Sequence, residues 1–169
     1  MKLLVPEQAE TERLILRQFR DEDWRDLHDY YSDAEAVQYT VGRVFSEGDT
    51  WRKMCGLIGH WQLRGYGPYA VEEKSTGNVL GQIGFWYPND WPSPEISWSI
   101  ARDHWGKGFA SEAVRKCQAI GKEWLKEINL ISVIHRDNWR SRKLAEAVGA
   151  IFEGEIEMQF GSAVYYRHP

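Results

Sequence analysis

Cysteine is scarce in this chain, which has only Cys55 and Cys117. Each lies among apolar residues at helical spacing, so we expect two core thiols and no disulfide or catalytic thiol. A chain of 169 residues can bury a core without disulfides or metals, which favours one domain over residues 1–169. The five histidines lack metal-ligand spacing such as HExxH, so no metal site is expected.

Long apolar runs and an excess of basic charge are also missing. No segment approaches the roughly 20 apolar residues of a membrane span, and Met1 to Thr11 contains no signal-peptide core. We therefore expect a cytoplasmic protein with no membrane partner. The formal net charge of -4 argues against a nucleic-acid partner, which would need clustered basic charge. Aromatic residues are plentiful at 14%, with nine Trp, and predict rings in the core or in a cleft.

The periodicity of the apolar residues predicts an α/β (α+β) fold with a mixed, mostly antiparallel sheet of about seven strands flanked by about four helices. Asp21 is the expected N-cap of the first helix, and Ser46 with Asp49 resembles a capping box at the second. The remaining helices are expected at 108–126 and 139–148, and the strands at 11–19, 68–73, 79–87, 94–101, 130–135, 150–160 and 162–167.

A glycine-rich turn joins the fourth predicted strand to the third predicted helix. Gly106 and Gly108 permit positive φ and a close approach of the backbone to a ligand. Unpaired N–H groups and the helix dipole at a helix start suit a phosphate or pyrophosphate. An ordinary strand-to-helix turn explains the two glycines equally well. A P-loop fits poorly, because Ala101 and Gly108 replace its first Gly and its Ser or Thr.

A second informative segment, HRDNWRSRKLAEAVGAIFEG, occupies residues 135–154. Taken alone, Asn138 is an N-cap, and the basic residues Arg140, Arg142 and Lys143 form a solvated helix face. Together with HWGKGFASEA at 104–113, however, this segment resembles the GNAT superfamily of N-acetyltransferases. The opening TERLILRQFRDED and the ending VYYRHP are similar to the branch that includes the ribosomal-protein N-terminal acetyltransferases.

This resemblance extends from about Thr11 to Pro169 and implies a GNAT-like domain that uses acetyl-CoA. The implied reaction is direct acetyl transfer to a primary amine, either a protein N-terminus or a small molecule, by a monomer or homodimer. The residues implied to contact acetyl-CoA are Trp98, Ser99, Ile100, Trp105, Gly106, Lys107, Gly108, Phe109, Ala110, Ser111, Asn138, Ser141 and Lys143.

Two positions depart from the family's usual pattern. Asp103, beside Arg102, stands where relatives often place Gln or Arg at the start of the phosphate motif. Ala145 stands where many relatives place a catalytic Tyr. These departures keep two other functions open: a coenzyme A-binding sensor without transfer activity, and a non-enzymatic binding protein that uses a Trp-rich surface.

The chemistry requires a proton acceptor, because an amine with a pKa near 10 is mostly protonated at pH 7. Glu95 is the preferred acceptor, and its alternative is a solvated charge at a strand end. His135 is the second candidate, with a local hydrogen bond as its alternative. Tyr165 and Tyr166 point to opposite strand faces, so at most one reaches the cleft. The acceptor pocket, or a dimer surface, is expected at residues 43–49 and at Trp86, Tyr87, Pro88 and Trp91.

Overall fold

The structure is a computed structural model that describes residues 3–126 and 128–169. It contains one eight-stranded sheet and five α-helices, and two 3-10 turns at Asp21–Asp23 and Arg102–His104. The strands are β1 (Gln8–Glu10), β2 (Leu14–Arg17), β3 (Pro68–Glu73), β4 (Val79–Trp86), β5 (Glu95–Ile100), β6 (Ile131–His135), β7 (Ile151–Met158) and β8 (Gly161–Arg167). The helices are α1 (Trp24–Tyr31), α2 (Ala34–Val37), α3 (Glu47–Arg64), α4 (Phe109–Trp124) and α5 (Trp139–Ala147).

The sheet has the strand order β1-β2-β3-β4-β5-β6-β8-β7. All neighbouring strands are antiparallel except β5 and β6, which are parallel and are connected through α4. The predicted meander of three strands is confirmed as β3, β4 and β5. The pairing of β5 with β6 is confined to Glu95 and Ile131, so the two strands part beyond this point and leave one edge of β5 free.

The structure confirms the mixed, mostly antiparallel fold and adds two short elements that were not predicted. Strand β1 has three residues, and α2 has four residues that follow Asp33. The Asp33 carboxylate accepts hydrogen bonds from Glu35 N at 2.9 Å and Ala36 N at 3.3 Å. Such short elements carry too few residues for a periodic pattern, which explains why they were missed. Within residues 3–126 and 128–169, no helix is long and apolar enough to cross a membrane.

The predicted capping box at the start of α3 is confirmed. Ser46 Oγ accepts from Asp49 N at 3.2 Å, and the Asp49 carboxylate accepts from Ser46 N at 3.4 Å. The predicted cap at Asp21 is wrong. The N-cap of the 3-10 turn is Arg20 and that of α1 is Asp23, which makes no side-chain cap hydrogen bond to the helix. The Asp23 carboxylate instead accepts from the backbone N–H of Arg20 at 2.7 Å and pairs with a buried arginine.

The two faces of the sheet are covered by different helices. Helix α4 packs on one face, where Cys117 is fully buried as predicted. Helices α1 and α3 form a second core with the other face. The prediction for Cys55 is wrong, because this thiol is exposed. The buried stripe of α3 includes Thr50, Met54 and Leu57, which places Cys55 on the outer side of the helix.

Candidate active site

The opening between β5 and β6 is bounded by side chains that take the place of a sheet hydrogen bond. Beyond the Glu95–Ile131 pair, a continued parallel ladder would join Val133 N to Ile96 O. Instead, Val133 N donates to Glu95 Oε2 at 2.8 Å, and Ser132 Oγ donates to Ile96 O at 2.5 Å. Because both backbone groups have side-chain partners, the strands part here without leaving either group unsatisfied.

A buried network of hydrogen bonds holds the Ser132 side chain in place. His168 Nε2 lies 2.8 Å from Ser132 Oγ, and His168 Nδ1 lies 3.0 Å from Gln118 Nε2, which also donates to Val148 O. Burial lowers the pKa of His168 to about 4, so the ring is neutral at pH 7. The Gln118 amide then donates to Nδ1, and Nε2–H donates to Ser132. This network was not predicted, because its members come from β6, α4 and the C-terminus, which are remote from one another in the sequence.

Two adjoining cavities lie at the split sheet, and the larger of these two, about 560 Å³, lies against the glycine-rich turn and the free edge of β5. Gly106 has φ of 73° and Gly108, the N-cap of α4, has φ of 84°, so the positive φ expected from the sequence is present. Eleven of the residues implied to contact acetyl-CoA line this cavity: Trp98, Ser99, Ile100, Trp105, Gly106, Gly108, Phe109, Ala110, Ser111, Asn138 and Ser141.

Two residues of that set, Lys107 and Lys143, are exposed and are not among the residues that line the cavity. The Lys107 carbonyl accepts a hydrogen bond from Arg13 Nη1 at 3.0 Å. Arg13 is in turn held by Glu112 of α4, with 2.7 Å between Nε and Oε2, and Thr11 donates to the same carboxylate. The opening TER segment therefore ties the glycine turn to the first turn of α4, a role that the sequence analysis did not predict.

The positive charges beside the larger cavity differ from those expected. Arg102 pairs with Asp33, with 2.5 Å between Nε and Oδ2, and its pKa is raised by that hydrogen bond. Arg140, predicted to lie on a solvated face, lines the cavity, and its guanidinium lies 3.8 Å from the centroid of the Trp105 ring. Arg140 therefore brings a positive charge toward the glycine turn.

The free edge of β5 offers backbone groups to a ligand. Strand alternation turns the N–H and C=O groups of Trp98 and Ile100 toward the opening, because those of their neighbours pair with β4. The Ile100 carbonyl accepts from Trp105 Nε1 at 2.7 Å, whereas the Trp98 indole N–H donates to Ser141 Oγ at 3.2 Å. The Trp98 amide faces the opening at the junction of the two cavities.

Asn138 begins α5 and lines both cavities. Its Oδ1 accepts from Ser141 N at 3.2 Å, which confirms the predicted N-cap. The cap uses the side-chain oxygen, and the amide group as a whole stands at the meeting point of the cavities. A contact with a ligand is therefore compatible with capping.

The smaller cavity, about 180 Å³, adjoins the first and contains the Glu95 side chain. Glu95 is only 4% exposed, which contradicts the alternative of a solvated strand-end charge. Burial raises its pKa to about 7, while the Val133 N–H, the Trp91 indole and the Lys53 charge act in the opposite direction. A carboxyl group with this pKa exchanges a proton near neutral pH, as a general base requires.

The other predicted proton carriers lie in different places. His135 ends β6 and lines the smaller cavity, and its Nδ1 accepts from Asp137 N at 3.2 Å. Ala145 is fully buried in a cluster with Tyr166 and lines neither cavity. Tyr165 and Tyr166 are also absent from both sets of lining residues. Tyr39, which the sequence analysis missed, lines both cavities, and its ring centroid lies 5.1 Å from that of His135.

Two of the residues predicted for the acceptor pocket lie together in the smaller cavity. Trp86 and Trp91 line the smaller cavity, whereas Tyr87, Pro88 and the segment 43–49 do not. The side chains that were not foreseen there include Tyr31, Val41, Lys53, Gln82 and Phe160. They come from five separate segments, so no single motif in the sequence could have indicated them.

Metal-ligand geometry is absent from the part of the chain that the structure describes, where no three His, Cys, Asp or Glu side chains form a group that could hold an ion.

Comparisons with known proteins point to one family. The family described as Acetyltransferase (GNAT) domain matches residues 13–151. The uncharacterized N-acetyltransferase p20 of Bacillus licheniformis is 34% identical over 146 residues, which cover 85% of this chain and 82% of that protein.

Solved structures share the fold. An acetyltransferase from Agrobacterium tumefaciens has a TM-score of 0.85 at 26% identity, covering 98% of this chain and 95% of that chain. The ribosomal-protein-S5-alanine acetyltransferase of Vibrio fischeri has a TM-score of 0.74 over 95% of each chain and, at 15% identity, supports the fold alone. The predicted resemblance is confirmed, and the chain belongs to the GNAT acetyltransferase family.

Proposed function

We propose that this chain is an acetyl-CoA-dependent N-acetyltransferase that transfers the acetyl group directly to a primary amine. The observation that carries the proposal is the meeting of two cavities at the split sheet, with the buried Glu95 carboxylate in the smaller one. Acetyl-CoA occupies the larger cavity in this proposal, and the acceptor amine enters the smaller one. The thioester then lies at the junction, beside Trp98 and Asn138.

The larger cavity has groups suited to the pyrophosphate and to the pantetheine arm of coenzyme A. The positive-φ turn at Gly106 and Gly108 leads into α4, whose first backbone N–H groups and dipole favour the pyrophosphate. The free edge of β5 offers Trp98 N–H and C=O to the amides of the pantetheine arm. The same edge supplies a backbone donor for the oxyanion that forms when the amine attacks the thioester carbonyl.

Glu95 is the proton acceptor in this mechanism. The nitrogen enters as an ammonium group and gives one proton to the carboxylate, directly or through water. It gives up a second proton as the new C–N bond forms and the C–S bond breaks, and this second proton balances the one that the thiolate takes up. His135 is less suited to this task, because its Nδ1 accepts from Asp137 N and the neutral ring then carries its proton on Nε2. Its Nε2–H is a hydrogen-bond donor toward the smaller cavity.

The leaving thiolate needs only modest help, since a free thiol has a pKa near 8.5. The usual tyrosine acid is replaced by Ala145, which is packed in the core. Tyr39 is the candidate that replaces it, because its side chain lines both cavities at their junction. The proton that the thiolate takes up comes from Tyr39 or from water.

The decisive experiment measures coenzyme A release from acetyl-CoA with a thiol reagent, across a panel of amines, alongside calorimetric binding of acetyl-CoA. Amine-dependent thiol release with a matching acetylated product supports transfer. Binding of acetyl-CoA without amine-dependent release would instead indicate the sensor function that the missing tyrosine at Ala145 left open. Absence of acetyl-CoA binding would overturn both.

A further inference from the structure

The smaller cavity contains one acidic and one basic side chain that do not neutralise each other directly. Glu95 and Lys53 both line it, and the two interact through their charges without a hydrogen bond. Glu95 is the register partner of Trp86 on the neighbouring strand, so the two side chains share a face of the sheet. Lys53 Nζ lies 4.8 Å from the Trp86 ring centroid on that face.

This arrangement leaves room for a ligand that carries both signs of charge. Burial lowers the pKa of Lys53, and the Glu95 carboxylate acts in the opposite direction. The charges of the buried Glu95 and the half-buried Lys53 are therefore incompletely compensated. An entering carboxylate favours the charged form of Lys53, and an entering ammonium group favours the charged form of Glu95. A ligand with a single charge would stabilise the charged form of only one of these side chains, and a neutral ligand would stabilise neither.

Gln82 provides a second sign of a ligand. Its side chain hydrogen-bonds Tyr31, and its Oε1 is buried without a donor among the described residues. The residue is 7% exposed, lines the smaller cavity and lies on the same face of β4 as Trp86, four pairs along the register. A buried acceptor without a donor is costly, and a ligand N–H would satisfy it. Gln82 thus presents an acceptor for a ligand N–H group in the same cavity as Glu95, four register positions away.

The size and walls of the cavity limit the rest of the ligand. A volume of about 180 Å³ is below the roughly 300–1,000 Å³ of pockets for drug-sized molecules. Flat apolar surface surrounds the charged groups, contributed by Tyr31, Tyr39, Trp86, Trp91, Trp98 and Phe160. A small molecule with an amine, a nearby carboxylate and an apolar side chain matches these features.

Building on the acetyltransferase function proposed above, we propose that the acceptor is a small apolar free amino acid. Its amine faces Glu95, and its carboxylate faces Lys53. The reaction is the one already given: the α-amine nitrogen gains the acetyl group, Glu95 receives the proton and coenzyme A leaves. Lys53 is a specificity-determining residue in this assignment, since it recognises the carboxylate and takes no part in bond making.

The test compares matched acceptors that differ only at the carboxyl group. Leucine and phenylalanine are assayed against their amides, their decarboxylated amines and tripeptides that begin with the same residue. We expect kcat/KM for the free acids to exceed that for the other three by about ten- to a hundredfold, as for a charged hydrogen bond. Lys53→Met should bring the ratio close to one, and Lys53→Arg should restore part of it. Lys122→Met, on an exposed position of α4, is the control that keeps the ratio.

Three outcomes decide against the amino-acid assignment while leaving acetyl transfer intact. Tripeptides that equal or exceed the free acids would indicate a protein N-terminus, and equal rates for the decarboxylated amines would indicate a simple amine. A preference that survives in Lys53→Met would remove the role of that lysine. If no amine is acetylated, the acetyltransferase function fails. Binding of the same amino acids to the protein with coenzyme A, measured by titration, then tests the proposed amino-acid site separately. Binding that disappears in Lys53→Met supports the site, and no binding overturns it.

Discussion

Glu95 and Val133 are joined by a hydrogen bond of 2.8 Å at the point where the central sheet splits. One oxygen of the carboxylate, Oε2, satisfies the backbone N–H that β6 no longer donates to β5. The carboxylate is thereby anchored beside the opening and buried, and this burial raises its pKa to about 7. The same side chain thus completes the architecture of the cleft and supplies its titratable group.

Replacement of Glu95 by Gln tests the proposed base. The amide keeps an oxygen for Val133 N–H, so acetyl-CoA affinity should hold while kcat falls about 10²–10⁴-fold at pH 7. The wild-type rate should rise through pH about 7 as the carboxyl group loses its proton, and this inflection should vanish in the variant. The measurement is a pH–rate profile with one good acceptor, and Glu155→Gln, at an exposed position, is the control.

Wild-type rates for Glu95→Gln at pH 7 would make the carboxylate purely structural and would turn attention to His135. The deficit should also shrink at high pH, where the acceptor amine deprotonates by itself. A deficit that is constant across pH would mean that Glu95 binds the positive charge of the acceptor without taking its proton.

Glu95 and His168 should give opposite pH dependences of stability. The Glu95 pKa is raised from 4.5 to about 7, so its contribution is full below pH 4.5 and is lost as pH rises through 7. The His168 pKa is lowered from 6.5 to about 4, so its contribution is full above pH 6.5 and is lost as pH falls through 4. Between about pH 5 and 6 the opposite slopes of these two contributions with pH largely cancel.

Single variants should reveal these two contributions. Relative to wild type, Glu95→Gln should lose about 1 kcal/mol of unfolding free energy for each unit by which pH falls from about 6 to 5. His168→Gln should show the reverse trend. Its loss of unfolding free energy relative to wild type should shrink by about 1 kcal/mol as pH falls from about 6 to 5. Urea unfolding of all three proteins at several pH values checks this, and parallel stability curves for wild type and both variants would contradict it.

Substitution of Gly108 by Val should weaken acetyl-CoA binding by at least tenfold, on the order of 1.4 kcal/mol. Val at φ of 84° is strained, and the new Cβ would lie 3.3 Å from Arg13 Nη2, so the turn must shift away from its ligand-binding shape. Gly77→Val is the matched control, since Gly77 has φ of 76° in the β3–β4 hairpin, apart from both cavities. Calorimetry of acetyl-CoA binding provides the comparison. Equal affinities for the two folded variants would exclude the turn as a binding site.

Asn138→Ser separates capping from ligand binding. Serine caps a helix about as well as asparagine, so the free energy of unfolding should change by less than about 0.5 kcal/mol. Because the shorter side chain no longer reaches the junction of the cavities, the KM for acetyl-CoA should increase severalfold. Steady-state kinetics with varied acetyl-CoA give the answer, and an unchanged KM would assign Asn138 to the cap alone.

Local features of the chain were predictable wherever a short segment carries its own signal. The capping box of Ser46 and Asp49 requires only three-residue spacing, and the glycine turn at 106–108 requires only the permissive φ of glycine. The motifs at 104–113 and 135–154 identified the family and, with the strand before them, half of the residues that line the larger cavity. These inferences succeed because each rests on residues that are close in the chain.

Tertiary structure alone decided what the smaller cavity contains. The sequence left Glu95 open between a proton acceptor and a solvated strand-end charge, and only the parting of β5 from β6 buries it against Val133. Lys53 and Gln82 reach the same cavity from α3 and β4. Charge and pKa depend on distances between segments that are remote in the chain, and periodic patterns carry no information about those distances. The sequence therefore determined the fold and the acetyl-CoA side of the proposed site, while packing determined its acid–base chemistry and the pocket proposed for the acceptor.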